Sequence, residues 1–190
     1  MARHTFGQAK ILSDRQQDTI LKVLSSTRER CMFLLSVKAG LRAVEIAGLQ
    51  WRHIRGDVLE LTRDITKGAK PRTVTLASAL REALDAHRSA AGAADDGDWL
   101  FPNQQMKGYG MSPNAVAQWF RYLYRERMGW EGYSSHSGRR TFITNAARKV
   151  TLVGGSLRDV QDLAGHASLK TTQVYINVNA EAKKKLVDLI

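Results

Sequence analysis

The feature that most constrains the fold is a change of hydrophobic period near the middle of the chain. Early on, apolar residues recur at helical spacing, as in Ile20, Leu21 and Leu24. Between 53 and 77, two runs, HIRGDVLELTR and KPRTVTLA, alternate apolar and polar residues and are rich in β-branched side chains. Helical spacing then returns. This pattern predicts an α+β fold, mostly α-helical, with one small antiparallel β-sheet whose strands are joined by the glycine-containing turn DITKGAK.

Local signals predict where the helices begin and end. Ser13 with Gln16 three residues later is typical of a capping box at a helix N-terminus. Ser112 followed by Pro113 is a cap with proline in the first turn, and Gly40 is suited to a helix C-terminus. Further helices are predicted over 28–39, 41–49, 77–90, 136–150, 156–164, 169–178 and 181–190.

Length and cysteine content limit the architecture. A chain of 190 residues can bury one real core, and we find no linker that would divide it, so we expect a single domain over 1–190. The one cysteine, Cys31, lies in the apolar run CMFLLSV and excludes an internal disulfide or a cysteine-rich zinc site. We expect it to be a small buried hydrophobic residue.

The charge balance points to a polyanionic partner. Lys and Arg number 29 against 18 Asp and Glu, which gives a net charge of +11 and a pI near 10.1. The first residues, MARHTFGQAK, carry no apolar signal-peptide core, and no stretch has the length of a membrane span. We therefore expect a soluble, cytoplasmic, nucleoid-associated protein whose partner is nucleic acid and not a membrane.

Two segments in the first half hold side chains suited to a phosphodiester. Arg42, in AGLRAVEIAGLQW, can hold two phosphate oxygens, and Glu45 is close enough along a short helix to orient it. Alone, this pair reads more simply as a surface ion pair. Lys67 at the turn between the predicted strands can donate a proton to a leaving alkoxide, although most turn lysines only improve solubility.

The second half adds two further segments. His136 and Arg139, in SSHSGRRTF, share one face at a helix N-terminus and can point at one anion, or can be a capping histidine and an exposed arginine. His166 follows a glycine that ends a helix, and Tyr175 lies nine positions later in TTQVY. Their simpler interpretations are a helix-terminal histidine and a partly buried core tyrosine.

The order and spacing of these segments carry more information than any one of them. From about Ser13 to the end, the chain resembles the catalytic domain of the tyrosine recombinase (phage integrase) family. The resemblance rests on AGLRAVEIAGLQW for a first arginine motif, HSGRRTF for a second, and VQDLAGHASLKTTQVY for the segment with the tyrosine.

The resemblance implies a reaction and a role for each residue. Tyr175 would be the nucleophile that attacks a scissile DNA phosphate, forms a 3′-phosphotyrosine link and frees a 5′-hydroxyl. Arg42 and Arg139 would bind the non-bridging oxygens and stabilise charge in the transition state. Because the covalent link conserves the bond energy, rejoining would need no ATP, metal or other cofactor.

The remaining catalytic roles follow from the same resemblance. Lys67 would be the general acid for the leaving 5′-oxygen, His136 the base toward the tyrosine, and His166 a hydrogen-bond partner of the phosphate. Glu45 would support Arg42. We expect Lys70 and Arg72 to contact the DNA backbone and so to position the duplex without reading its sequence.

The chain departs from the family pattern in two places. Gly138 stands where the family often has leucine, which we expect to change helix packing more than chemistry. Most family members carry an N-terminal helical DNA-binding domain, whereas about a dozen residues precede Ser13 here. The chain is either a fragment or a short recombinase without that domain. In the family, a C-terminal helix such as 179–190 often docks on a neighbouring subunit. The simpler alternative is that it docks on its own protomer, and of the two we expect the exchange.

Three functions fit these observations. The first is a site-specific recombinase that binds double-stranded DNA and assembles on it as a tetrameric synapse. The second is a nicking and closing enzyme similar to a type IB topoisomerase. The third is a DNA-binding accessory protein that does not cleave, which the presence of every reactive residue disfavours.

Overall fold

The computed structural model describes residues 8–66, 70–92 and 95–175. Helices dominate these residues, and the strands lie together in the middle of the sequence. The α-helices are α1 (Asp14–Val23), α2 (Thr27–Lys38), α3 (Ala43–Ala47), α4 (Arg63–Thr66), α5 (Ser78–Ala90), α6 (Pro113–Tyr122), α7 (Ser137–Lys149), α8 (Leu157–Ala164) and α9 (Leu169–Gln173). The strands are β1 (Ile54–Arg55), β2 (Val58–Leu61) and β3 (Arg72–Thr75). The predicted α+β class with a small antiparallel sheet is confirmed.

Helix α2 forms the centre of the core. Every residue from Cys31 to Val37 is buried, because α5 packs on one side of this helix and α7 on another. A helix that is apolar around its whole circumference has to be enclosed in this way. Burial raises the pKa of the Cys31 thiol to about 12, so this cysteine is an uncharged core residue, as expected.

The sheet corrects the prediction in one detail. The run HIRGDVLELTR is two strands, not one, because the chain reverses at Gly56, which has a φ of +56°. β1 pairs with β2, and β2 pairs with β3, all antiparallel. The stretch between β2 and β3 begins with the short helix α4 rather than with a turn.

The predicted helix starts are confirmed. Ser13 and Gln16 form a reciprocal capping box on α1, and the hydroxyl of Ser112 accepts a hydrogen bond from the backbone of Ala115 at the start of α6. α6 continues directly into a π-helical turn over Leu123–Arg127, which the sequence pattern did not predict. Wide turns of this kind occur often at functional sites.

Gly138 allows α7 to approach α2 closely. A Cβ added at Gly138 would collide with Oγ of Ser36 and lie 2.8 Å from its Cβ, and both residues are buried. A leucine at this position would force the two helices apart, so the glycine is matched to the packing of this particular core.

Some expectations concern parts of the chain outside the described residues. These are Lys67 in the segment between β2 and β3, the predicted helix over 181–190, and the exchanged helix over 179–190. In the part of the chain that is described, no helix combines the length and apolar character needed to cross a membrane.

Candidate active site

A buried carboxylate lies at the base of the site. Glu45 is 0% exposed, and its Oε1 accepts a hydrogen bond from Nη1 of Arg42 at 2.9 Å, while its Oε2 accepts one from the Arg42 backbone at 2.8 Å. The contact expected between these two residues is therefore present. Arg72 binds the same carboxylate with both terminal nitrogens, Nη1 to Oε1 at 2.8 Å and Nη2 to Oε2 at 3.1 Å.

This carboxylate remains charged despite its burial. Burial alone would raise the pKa of Glu45, but the hydrogen bonds and positive charges of Arg72 and Arg42 outweigh it and hold the pKa below its usual value. One carboxylate thus neutralises one of two arginines. Arg42 is the more exposed of the pair, with 29% of its side chain accessible against 5% for Arg72.

The position of Arg72 differs from the expected one. We expected it to contact the DNA backbone, but its fork is occupied by Glu45, and its Nε donates to the carbonyl of Leu163 at 3.1 Å. A side chain held at three nitrogens and nearly enclosed is part of the protein scaffold. Lys70, two residues earlier, is exposed, so its expected contact with DNA remains a prediction.

Arg139 projects from α7 between two other segments. Its Nη1 donates to the carbonyl of Gly40 at 2.7 Å, and its Nη2 donates to the carbonyl of Ala164, the last residue of α8, at 2.5 Å. Gly40 has a φ of +66°, and a Cβ there would collide with Phe142, so glycine is required at this position. Burial, followed by the nearby charge of Arg42, lowers the pKa of Arg139 to about 10, which still leaves it charged at neutral pH.

His166 and Tyr175 lie against one another. Their rings are stacked with centroids 5.9 Å apart and planes 21° from parallel. Gly165 ends α8 in the left-handed conformation, which turns the chain so that His166 is 7% exposed. Burial, and then the charges of Arg139 and the other arginines, lowers the pKa of His166 to about 4, so the imidazole is neutral at pH 7.

One groove, with a volume of about 1240 Å³, collects these side chains. Five of the six residues predicted to be catalytic line this groove: Arg42, His136, Arg139, His166 and Tyr175. The sixth, Lys67, lies outside the described residues. His136 is exposed at the start of α7, one turn from Arg139. The structure therefore brings together side chains from α7 and from the segments that immediately precede α3 and α7 and follow α8 and α9.

The groove also contains cations that the sequence analysis did not single out. They are Lys10, Arg121, Arg125 and Arg140. Arg121 and Arg125 are four residues apart where α6 enters the π-helical turn, a spacing in RYLYRER that could have indicated a shared basic face. With one wall of arginines and a stacked histidine and tyrosine, the groove is suited to bind an anionic backbone and to present a phenol to it.

Comparison with known proteins identifies the family to which the chain is similar. The sequence model of the phage integrase family matches residues 10–182. Tyrosine recombinase XerC of Rhodospirillum centenum is 36% identical over 161 residues, which cover 81% of this chain and 43% of the relative. Tyrosine recombinase XerA of Thermococcus onnurineus is 30% identical over 180 residues, which cover 93% of this chain and 61% of the relative. The chain thus spans about half the length of the curated relatives it matches.

Solved structures agree at the level of the fold. The crystal structure of XerA recombinase superposes with a TM-score of 0.76 at 24% identity, covering 96% of this chain and 65% of that one. The Tn1549 transposon integrase, in complex with a circular intermediate DNA, gives a TM-score of 0.79 at 16% identity, covering 100% of this chain and 68% of that one. Because the family model spans nearly the whole chain and distant relatives share its fold, this protein belongs to the phage integrase family.

Proposed function

We propose that this protein is a site-specific DNA recombinase that cuts and rejoins double-stranded DNA through a 3′-phosphotyrosine intermediate on Tyr175. The observation that carries the proposal is the shared groove, in which Arg42, Arg139 and His166 surround a space that Tyr175 also lines. The relatives include tyrosine recombinases, and a structural neighbour was solved with DNA, which supports the same reaction class.

In this proposal, the groove binds one phosphodiester of the DNA backbone and cleaves it. The guanidiniums of Arg42 and Arg139 bind its non-bridging oxygens and stabilise the charge that develops on them. The phenol oxygen of Tyr175 forms a bond to phosphorus, its proton passes to His136, and the bond from phosphorus to the 5′-oxygen breaks. In this scheme Lys67 gives a proton to that oxygen. Reversal of the same steps rejoins the strand.

Arg42 is the arginine of the site that is least engaged within the protein. Glu45 carries one negative charge against the two positive charges of Arg42 and Arg72, and Arg72 is the arginine whose fork it occupies. Within the described part of the chain, the Arg42 side chain makes one hydrogen bond, from Nη1 to Glu45, and Arg42 lines the groove, so its other guanidinium nitrogens can donate to an anion there. Glu45 thus acts as a support that orients Arg42, and an incoming phosphate meets a net positive wall.

The experiment that tests this proposal is capture of the covalent intermediate. A nicked DNA duplex, from which the cleaved fragment diffuses away, is mixed with the wild type and with Tyr175→Phe, and the products are separated under denaturing conditions. DNA flanking the source gene is included because site recognition depends on sequence. Tyr109→Phe, at a tyrosine that is 62% exposed, is the matched control for loss of a phenolic hydroxyl.

We expect a protein–DNA adduct with the wild type and with Tyr109→Phe, none with Tyr175→Phe, and a DNA-linked peptide that contains Tyr175. If the wild type binds these DNAs but forms no adduct on any of them, the protein is a DNA-binding accessory factor and not a recombinase. Adducts that form equally on unrelated sequences would instead identify a nicking and closing enzyme.

The proposal extends to assembly on DNA. Strand exchange between two sites requires four protomers, and we propose that residues 179–190 form a helix that docks on a neighbouring protomer. The segment ends in KKKLVDLI, a basic run followed by apolar residues, and a short helix needs such a partner to be stable. Truncation after Asn179 should abolish association on DNA while leaving adduct formation detectable. Unchanged association would refute the exchange.

A further inference from the structure

Thr172 connects the two groups that define the tyrosine end of the groove. Its hydroxyl oxygen lies 3.0 Å from Nδ1 of His166, and both side chains are buried. Its backbone carbonyl accepts a hydrogen bond of 3.0 Å from the amide of Tyr175. Thr172 itself is 0% exposed, in the short helix α9 that packs on α8. One residue therefore contacts both the histidine and the tyrosine, and does so without facing solvent.

The direction of the hydrogen bond between Thr172 and His166 matters because the imidazole is neutral. A neutral imidazole has one N–H donor and one nitrogen acceptor, and the partner of one nitrogen decides which role the other takes. A threonine hydroxyl can rotate to donate or to accept. If Nδ1 carries the proton, Nε2 has only a lone pair, which repels a phosphate oxygen. If Nδ1 accepts a hydrogen bond from the hydroxyl, Nε2 carries the proton and can donate a hydrogen bond to a phosphate oxygen.

We infer that Thr172 is a positioning residue: its hydroxyl donates to Nδ1 of His166 and thereby fixes the tautomer in which Nε2–H faces the groove. The inference rests on the proposed function, since a DNA phosphate offers only acceptors and needs a donor from His166. Thr172 contacts no DNA itself. It acts through His166, much as the partners behind metal-bound histidines orient those rings.

The same contact fixes the orientation of the ring. His166 stacks on Tyr175 at 5.9 Å, so a rotation of the imidazole about its bond to Cβ would break the hydrogen bond to Thr172 and disturb the stack together. The backbone bond from Tyr175 to Thr172 ties the start of the tyrosine segment to the same point. Thr172 thus couples the orientation of the phosphate donor to the position of the nucleophile.

The first test measures the tautomer directly and needs no DNA. Nitrogen NMR of protein labelled with ¹⁵N-histidine distinguishes a protonated from an unprotonated ring nitrogen, and comparison with His166→Gln assigns the signals among the five histidines of the chain. At pH 7 we expect the wild type and Thr172→Ser to carry the proton of His166 on Nε2. Thr172→Val, which has the same shape without the hydroxyl, should lose this preference and show exchange between the two forms.

The matched control is Thr144→Val. Thr144 is 2% exposed in α7, and within the part of the chain that is described its hydroxyl oxygen has no hydrogen-bond partner. The substitution makes the same chemical change in the same core and should leave the His166 signals unchanged. If Thr172→Val does not fold, Thr172→Ala removes the hydroxyl at lower steric cost and replaces it in the comparison.

The second test measures the rate of adduct formation on the nicked duplex. We expect Thr172→Val to be about tenfold slower than the wild type, as for one lost hydrogen bond, and Thr172→Ser to stay within about threefold. Wild-type His166 with its proton on Nδ1, or an unchanged Nε2–H signal in Thr172→Val, overturns the inference even if adducts form normally. Conversely, failure of the wild type to form any adduct refutes the proposed function. The NMR measurement, which needs no DNA, then still decides whether Thr172 fixes the tautomer of His166.

Discussion

Arg72 binds both carboxylate oxygens of Glu45, although 27 residues separate the two in the sequence. The pair joins the first residue of β3 to the short helix α3, and the Nε of Arg72 adds a third attachment at the end of α8. Gly165 leaves room for this arrangement, because a Cβ there would lie 2.9 Å from Cδ of Arg72. A side chain outside the groove thus holds together the segments that carry Arg42 and His166.

Replacing Arg72 with glutamine should destabilise the fold strongly. Glu45 would keep only Arg42 as a partner, and a buried carboxylate that loses one cation typically costs about 3 kcal/mol of unfolding free energy. Chemical denaturation measures the difference. Arg55→Gln, which breaks an exposed pair with Glu60 between β1 and β2, is the control and should cost less than about 1 kcal/mol. Equal losses in the two variants would mean that the Arg72–Glu45 pair has no special structural role.

The sequence predicted the elements of this site better than the contacts between them. Local signals were sufficient for the caps at Ser13 and Ser112 and for the turn at Gly165, because each depends on a few adjacent residues. Alternation in the run HIRGDVLELTR continues across Gly56, so the pattern predicts one strand where the structure has two. The sequence predicts a DNA contact for Arg72 and does not predict its pairing with Glu45, because no local pattern reveals a partner in a distant segment.

The family pattern had the same limit. It indicated His166 and Tyr175 by their spacing, but it gave no reason to single out Thr172. The contact between Thr172 and His166 depends on how α9 packs against α8. Burial decides the rest, since the neutral state of His166 follows from its enclosure among arginines that are remote in sequence.

His166 should make stability depend on pH below neutrality. Its pKa is about 4 in the folded protein against an ordinary value of 6.5, so between these values the unfolded chain binds a proton that the folded one does not. The contribution to stability is therefore complete above pH 6.5 and is lost as the pH falls toward 4. Urea denaturation at a series of pH values should show a loss of about 2 kcal/mol between pH 7 and pH 4.5 that His166→Gln does not share.

The comparison isolates one group, because His53 and His87, whose pKa values are also lowered by burial, titrate in both proteins. Parallel stability curves for the wild type and His166→Gln would show that the imidazole is not held neutral by the fold.

Gly138→Ala should destabilise the protein, although alanine is the better helix former. In an exposed helix this change gains up to about 1 kcal/mol. Here the new methyl group would collide with Ser36 in α2, and overpacking of this kind costs about 1–3 kcal/mol, which exceeds the gain. Thermal unfolding should show a lower Tm. Gly97→Ala, where no atom lies within 4 Å of the added Cβ, is the control and should leave Tm nearly unchanged.

A double variant separates collision from other causes. Adding Ser36→Ala to Gly138→Ala removes the Ser36 hydroxyl, whose oxygen is the closest atom to the new methyl group. The double variant should therefore recover part of the stability that Gly138→Ala loses. Additive losses in the double variant would contradict the steric explanation.

The basic wall formed by Arg121 and Arg125 should determine how DNA binding responds to salt. Both side chains are exposed and line the groove, and the one ion pair that Arg125 makes within the described residues is a long, exposed contact of 4.0 Å with Glu126. A duplex lying in the groove would therefore bring phosphates to both arginines. Each contact that is lost should lower the slope of log K against log salt concentration by about 0.9. We therefore expect Arg121→Gln and Arg125→Gln to bind DNA more weakly than the wild type at low salt and to approach the wild type as the salt concentration increases.

Fluorescence anisotropy on one duplex at several salt concentrations measures this dependence of DNA binding on salt. Arg81→Gln removes the same charge from α5, which packs on α2 away from the groove, and should leave the slope unchanged. If all three variants lowered the slope equally, net charge rather than the groove would control binding.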